Sequence, residues 1–264
     1  MIDVNQNRFQ DFFENEKYVT LKKFLYNYIL RKHAVEEAMR DEKKDLVLEV
    51  GSGISPVFTS WDRIVYSDLS QSAMNMLKEM LGKGQFVVAD AVNLPFSDHS
   101  FSHVIASEVL EHLEDDKRAL LEISRVLKPD GVLVITFPHR RFYFSHDDRF
   151  VKHYRRYELS DMMIRLTESG LHPVSISKVL GPLEKITMLA VTACASIIER
   201  LKSRRDSSID HKEPADAFIT LFKWGNRLFA AFVWLDALMM PRALSTVLLI
   251  KAKKITNEKV FKGI

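Results

Sequence analysis

The chain has 264 residues and one cysteine, Cys194. A single thiol excludes an intramolecular disulfide and any zinc or iron–sulfur site built from several cysteines. Cys194 itself lies in an apolar helical stretch and reads as a buried thiol rather than a nucleophile. No uncharged apolar run reaches about 18 residues, which removes an ordinary membrane-spanning helix. The segment MIDVNQNRFQDFFENEKY lacks the basic-then-apolar layout of a secretory signal. Charge bias is also weak, with 38 basic side chains against 35 acidic ones and a formal charge of +3. That excess is too small to argue for nucleic acid. There is no internal repeat and no low-complexity segment. The balance of 47% hydrophobic and 28% charged residues is that of a globular protein, and the expectation is a cytoplasmic enzyme or binding protein.

What is present alternates. Tyr18, Leu21, Leu25, Tyr28 and Ile29 recur at helical spacing, and residues 1–44 read as an N-terminal helical segment. Leu46–Val50 reads as a buried strand that breaks into a turn at Gly51-Ser52-Gly53. Further strands are expected to end at Asp68, at Gln85–Ala89, at Phe101–Ser107, at Val132–Phe137 and at Pro173–Leu180. Helices are expected at Ser70–Leu81, Asp115–Leu127 and Tyr157–Gly170, with a turn at Lys128–Gly131. Strands alternating with helices predict an α/β, Rossmann-like, doubly wound and mostly parallel sheet over residues 45–180. Residues 181–245 then read as a helical insertion, with helices at Pro182–Lys202 and Ala215–Met240 joined by a polar linker, Arg204–Pro214. Residues 246–264 read as a final strand, Thr246–Ile250, and a basic tail.

In such a sheet, ligands bind beyond the carboxyl ends of the strands. Gly51 and Gly53 follow the first strand, Asp68 the second, Asp90 the third, and Ser107 and Glu108 the fourth. An acid after the second strand typically accepts hydrogen bonds from a ribose diol, which points to an adenosine-type ligand. A dinucleotide fits less well. G-x-G-x-x-G would need glycine where the chain has Pro56, and Glu49 places an acid where a pyrophosphate would lie. A cationic ligand with a ribose suits an acid-lined crevice better.

Val47-Leu48-Glu49-Val50-Gly51-Ser52-Gly53 resembles the first motif of class I S-adenosylmethionine-dependent methyltransferases. The resemblance continues through Asp68, Ala89-Asp90-Ala91-Val92-Asn93-Leu94-Pro95-Phe96, Ser107-Glu108-Val109-Leu110-Glu111-His112-Leu113 and Arg125–Gly131. It is similar to the small-molecule branch that includes ubiquinone- and menaquinone-type methyltransferases, and it covers about residues 45–180. The resemblance implies S-adenosyl-L-methionine as cofactor. Glu49, Gly51, Ser52 and Gly53 would hold its methionine part, Asp68 with Leu69 its ribose, and Asp90 with Ala91 its adenine. Ser107 and Glu108 would close the site beside the sulfonium. Many members have a third glycine where this chain has Ser55, which instead suits a helix cap followed by Pro56. Glu49 has a second reading, as a hydrogen-bond partner of the glycine turn. For Asp90 the alternative is a helix cap, and for Glu111 and His112 it is local packing.

Methyl transfer from a sulfonium requires alignment and exclusion of water, with a base where the acceptor carries a proton. Candidates cluster after the fifth strand: His139, His146, Asp147, His153 and Tyr154. Segment 138–157 is long enough to serve as a lid or acceptor contact. Its irregular His and Asp spacing argues against a metal site, and none is assigned. The expected acceptor is a small or lipid-linked molecule. In segment 181–245, Leu228, Phe229, Phe232, Val233, Trp234 and Leu235 lie among Lys223, Arg227 and Arg242. That composition suits peripheral contact at the inner face of a membrane, or packing on the sheet or on a second subunit. Nucleic acid is not expected as a partner. RNA or protein methylation, and cofactor binding without catalysis, are the alternatives to small-molecule methylation. Charge follows the same division, since residues 1–180 carry 24 basic and 27 acidic side chains and residues 181–264 carry 14 and 8.

Overall fold

The computed structural model describes residues 24–189 and 216–255. Seven strands form one sheet: β1 Val47–Val50, β2 Ile64–Asp68, β3 Gln85–Val88, β4 Phe101–Ser107, β5 Leu127–Pro138, β6 Leu171–Leu180 and β7 Val247–Lys254. Their order is β3-β2-β1-β4-β5-β7-β6. The first five strands pair in parallel, and β7 runs antiparallel between β5 and β6. The expected α/β Rossmann-like sheet, with an N-terminal helix and a helical insertion before the last strand, is therefore present. The switch point lies between β1 and β4, where the chain turns from building one half of the sheet to the other.

The helices are α1 Tyr26–Met39, α2 Gln71–Leu81, α3 Asp116–Val126, α4 His146–Phe150 and α5 Leu159–Glu168. Within the insertion, α6 covers 182–189 and α7 covers Asp216–Met239. Local sequence sets several boundaries. Ser70 caps α2 by accepting from the Ala73 N–H, and Gly82 ends it in the left-handed conformation. Asp115 caps α3 through the Arg118 N–H. On α3, Ala119, Leu120, Ile123 and Val126 are fully buried and pack with Leu48, Val50, Leu133 and Ile135 on one face of the sheet, alongside Met162 and Leu166 of α5. The other face holds Val47, Ile105 and Val134 beneath α1, α2 and the Ala230 and Val233 side of α7.

Three boundaries differ from the sequence reading. β5 begins at Leu127, so the expected turn at Lys128–Gly131 lies inside the strand as a register irregularity. The register passes from Phe101 opposite Leu127 to His103 opposite Val132, with Asp130 at φ 58°. β7 extends to Lys254, so the start of the basic tail is sheet, because β6 pairs along its whole length. Segment 138–157 contains α4, held by a capping box of Ser145 and Asp148. Cys194, the linker Arg204–Pro214, Tyr18, Leu21 and the end of the Pro182–Lys202 helix lie outside the described residues.

Asp116 joins α3 to α5 and to the loop before it. Its carboxylate accepts from Tyr157 Oη (2.7 Å), Arg165 Nη1 (2.8 Å) and Arg155 Nη1 (3.2 Å) and is 3% exposed. Arg155 and Arg165 keep partial access to water, so they can resolvate when the acid is removed. Asp116→Ala is therefore expected to cost about 2–3 kcal/mol in urea unfolding, below the full penalty for stranding a buried charge. Lys117→Ala, which breaks only the exposed pair with Glu168, is expected to cost no more than about 0.5 kcal/mol in the same assay.

Candidate active site

The ends of β1, β2, β3 and β4 stand side by side in the sheet, so the residues just beyond them face one crevice. Gly51 has φ 66° and Gly53 φ 51°, conformations that side-chain-bearing residues rarely adopt. At Gly51 there is a second reason for glycine, since a Cβ there would lie 2.7 Å from Val109 Cγ2. The turn after β1 is thus pressed against the residue following Glu108. The Gly53 N–H donates to Asp68 Oδ2 and the Ser70 N–H to Asp68 Oδ1, each at 2.9 Å. Asp68 therefore bridges the glycine turn and the start of α2. Asp90 accepts from the Val92 N–H (3.0 Å), a local turn that fixes Ala91 beside it. Leu69 lies between Asp68 and the Ser70 cap.

Glu49 has a different environment. It is 2% exposed, and its two oxygens accept from the N–H groups of Val57 (2.7 Å) and Phe58 (3.2 Å). Helix α1 clamps the same loop from outside. Tyr28 Oη donates to the Pro56 carbonyl and Lys32 Nζ to Thr59 Oγ1, while Glu36 accepts from the Thr59 N–H. Burial pushes the Glu49 carboxyl up to about 8, against the pull of its two backbone donors and Lys32. Tyr28, read from sequence only as part of a helical spacing, and Lys32 were not singled out as site residues, because nothing in α1 alone shows which loop it covers.

Glu108 adopts φ 54°, a conformation costing a non-glycine residue on the order of 1–3 kcal/mol. Its N–H is held by the Thr136 carbonyl (3.1 Å), and Ser107 Oγ meets Thr136 Oγ1 at 2.8 Å. Arg31 Nη1 of α1 lies 3.6 Å from Glu108 Oε2. Glu108 Oε1 and Ser52 Oγ are both buried and have no hydrogen-bond partner among the described residues.

The acceptor-side candidates separate. His146 is exposed at the start of α4. Tyr154 is 42% exposed, stacks near Arg155 and donates its N–H to the Glu111 carbonyl. His139 is buried, with Nδ1 2.9 Å from the Ser245 carbonyl oxygen, and burial lowers its pKa despite that bond. His153 Nδ1 meets Asp148 Oδ1 at 2.9 Å. Asp148 also accepts from Arg156 Nε (2.7 Å) and Lys185 Nζ (2.9 Å). Burial opposes charge on Asp148, but His153, Arg156 and Lys185 outweigh it and hold the carboxyl well below its ordinary range. Asp147 takes two further contacts from Lys185. Fully buried Glu111 has its carboxyl driven well above the usual range, first by burial and then by the charge of Glu108. A groove of about 300 Å³ lined by residues including Leu30, Ala34, Ser177, Trp234 and Leu249 contains none of these residues.

The sheet order is that of the fold that class I S-adenosylmethionine-dependent methyltransferases share. Residues 48–135 match the family described as a methyltransferase domain. An uncharacterized protein of Methanocaldococcus jannaschii is 34% identical over 134 residues, 48% of this chain and 58% of that protein. A demethylmenaquinone methyltransferase of Renibacterium salmoninarum is 33% identical over 99 residues, 37% of this chain and 42% of that enzyme. The chain thus spans about half the length of the curated relatives it matches. Among solved structures, a chain from the complex of the Haloferax volcanii Trm112 methyltransferase activator with a methyltransferase superposes with a TM-score of 0.61 at 16% identity. That alignment covers 94% of this chain and 98% of the other. Phosphoethanolamine N-methyltransferase 2 of Haemonchus contortus, solved with S-adenosyl-L-methionine, gives 0.58 at 16% identity, over 94% of this chain and 60% of that one.

The Glu49 carboxyl titrates near 8 in the folded chain against 4.5 for an ordinary glutamate. Between those values the folded chain binds the extra proton, so stability falls as pH rises. Glu49→Gln removes that titration. From pH 5.5 to 7.5 the wild type is expected to lose roughly 2–3 kcal/mol relative to the variant, read from paired urea unfolding curves. A difference that stays constant with pH would show that Glu49 is ionised throughout.

Proposed function

We propose that this chain transfers a methyl group from S-adenosyl-L-methionine to a small-molecule or lipid-linked acceptor by in-line displacement. The observation that carries the reading is the pair of buried, unpartnered oxygens, Ser52 Oγ and Glu108 Oε1. They belong to the two turns that flank the switch point, and both were nominated from sequence as cofactor ligands. Buried polar atoms are almost always satisfied, so two orphans at one crevice fit a ligand that carries hydrogen-bonding groups. The neighbouring donor set matches this cofactor. Asp68 suits ribose hydroxyls, Asp90 with Ala91 an adenine edge, and the acidic rim a sulfonium and an ammonium. Arg31 suits the cofactor's carboxylate. A pyrophosphate would meet Asp68 and Glu108 instead.

When bound, the cofactor supplies an activated methyl group, and alignment and exclusion of water are left to the protein. Gly51 and Gly53 give close backbone approach, and Asp68 fixes the ribose end. Segment 138–157 covers the acceptor side, where His139 and His153 are the buried candidates for taking a proton, with His146 and Tyr154 nearer solvent. The matched demethylmenaquinone methyltransferases support a quinol-like or lipid-linked acceptor. So does α7, which buries Ala230, Val233 and Ala237 but exposes Leu228, Phe232 and Leu235 beside Arg227. No helix among the described residues is long and apolar enough to cross a membrane.

Calorimetry with S-adenosyl-L-methionine tests the site, and Asp68→Ala is expected to weaken binding about 10- to 100-fold. Unchanged affinity in that variant would undo the assignment. Binding without methyl transfer to any metabolite or lipid, using a labelled donor, would instead favour a non-catalytic role. For the membrane contact, the chain is expected to sediment with anionic phosphatidylglycerol vesicles and less with neutral ones. Equal pelleting with and without vesicles would remove that part of the reading.

A further inference from the structure

Beyond the cofactor crevice lies a second constellation, made by residues far apart in sequence. Glu111 and His112 follow β4, and His153 comes from the end of segment 138–157. One ligand atom from each of the three lies within 4.8 Å of the others. The Glu111 side chain is fully buried, and neither of its oxygens has a hydrogen-bond partner among the described residues. His153 Nε2 lies 3.9 Å from Glu111 Oε1. The rings of His112 and His153 meet edge-on, with centroids 4.6 Å apart.

We propose that Glu111, His112 and His153 form a binding site for a first-row divalent cation. Two imidazole nitrogens and one carboxylate oxygen are a recurrent donor set for such ions, with positions left over for water or substrate. Ligands on one ion sit roughly 3–4 Å apart at bond lengths of about 2.1 Å, so rotation of these side chains by about an ångström closes the set. The surroundings fit as well. Asp148 holds His153 Nδ1 at 2.9 Å and is itself fixed by Arg156 and Lys185. A carboxylate on one ring nitrogen keeps its proton there and turns the other nitrogen's lone pair inward, toward Glu111, as in carboxylate–histidine–metal arrangements. A cation would also relieve Glu111, which otherwise shares the interior with Glu108 and has no hydrogen-bonding partner. Spacing within 138–157 gave no metal signal because the other two ligands come from the turn after β4.

The site stands one turn of chain from Glu108. On the methyltransferase reading, its ion would lower the pKa of an acceptor hydroxyl, with the proton released to solvent. The binding claim itself does not depend on that reading. Full-length protein is stripped with a chelator, then dialysed separately against Zn²⁺ and Mn²⁺, and bound metal is counted by mass spectrometry. The same samples are titrated with S-adenosyl-L-methionine. One ion per chain is expected, with affinity reduced at least about 10-fold in Glu111→Gln and in His153→Gln. His153 is slightly less enclosed than Glu111, with its side chain 10% exposed against 0%, and urea unfolding of each variant checks that it is folded. Absence of stoichiometric metal, or binding undiminished in both variants, overturns the site. Cofactor binding without metal would remove the metal site alone. Metal binding without cofactor would remove the methyltransferase reading and leave the site standing.

Discussion

Lys185 carries its charge into the interior to meet two acids. Its Nζ reaches Asp147 Oδ2 at 2.7 Å and Asp148 Oδ2 at 2.9 Å, and all three side chains are nearly closed to solvent. A single buried charge is prohibitive, and an isolated pair barely compensates its desolvation. Here Arg156 and His153 also donate to Asp148, and Ser145 Oγ donates to Asp147, so each acid faces more than one donor. The elements so joined are α4, the segment behind it, and α6 at the start of the insertion. Arg156 extends the connection to the carbonyls of His139 and Thr246, where β5 ends and β7 begins. The proposed acceptor side of the crevice is therefore built by an electrostatic knot between the sheet and the insertion.

The proposed cofactor side is built differently. There the backbone does most of the holding, and the acids serve it. Glu49 ties the loop at Val57 and Phe58, Asp68 ties Gly53 to Ser70, and Asp90 folds its own turn. Each spends a carboxylate on a backbone N–H, which fixes the shape of the turn before any ligand arrives. Preorganisation of this kind lowers the ordering cost of binding. Both Glu49 oxygens accept from backbone N–H groups beyond the glycine turn, at Val57 and Phe58.

This contrast explains what was legible in the sequence. Strand-to-turn transitions with glycine or acid at their ends are local signals, and they gave the sheet, its parallel half and the crevice. The Pro-Asp-Gly chemistry at Lys128–Gly131 marked the local reversal but not that β5 pairs on both sides of it. The Lys185–Asp148 knot left no local trace. Lys185 lies in a stretch whose pattern reads only as helix, and its partners are 37 and 38 residues away. Arg31 and Tyr28 were hidden for the same reason, as residues of a helix whose packing partner is set by tertiary structure alone.

The division of charge acquires a structural meaning from these contacts. The first 180 residues are mildly acidic, and several of their acids are buried at the carboxyl end of the sheet: Glu49, Glu111, Asp147 and Asp148. Burial penalises charge on acids placed there, and it pushes the Glu49 and Glu111 carboxyls up. The chain answers with cations from outside the core: Arg31 and Lys32 from α1, Lys185 from the insertion. The insertion is then more than an appendage with an apolar face. Its first turn supplies a counter-charge that the acceptor side requires, and Glu184 and Lys185 are drawn inside together while the rest of the helix begins to face outward at Ile186. Glu111 is reached less directly: Arg31 and Arg156 act on it through space, and no hydrogen-bond donor among the described residues meets its oxygens.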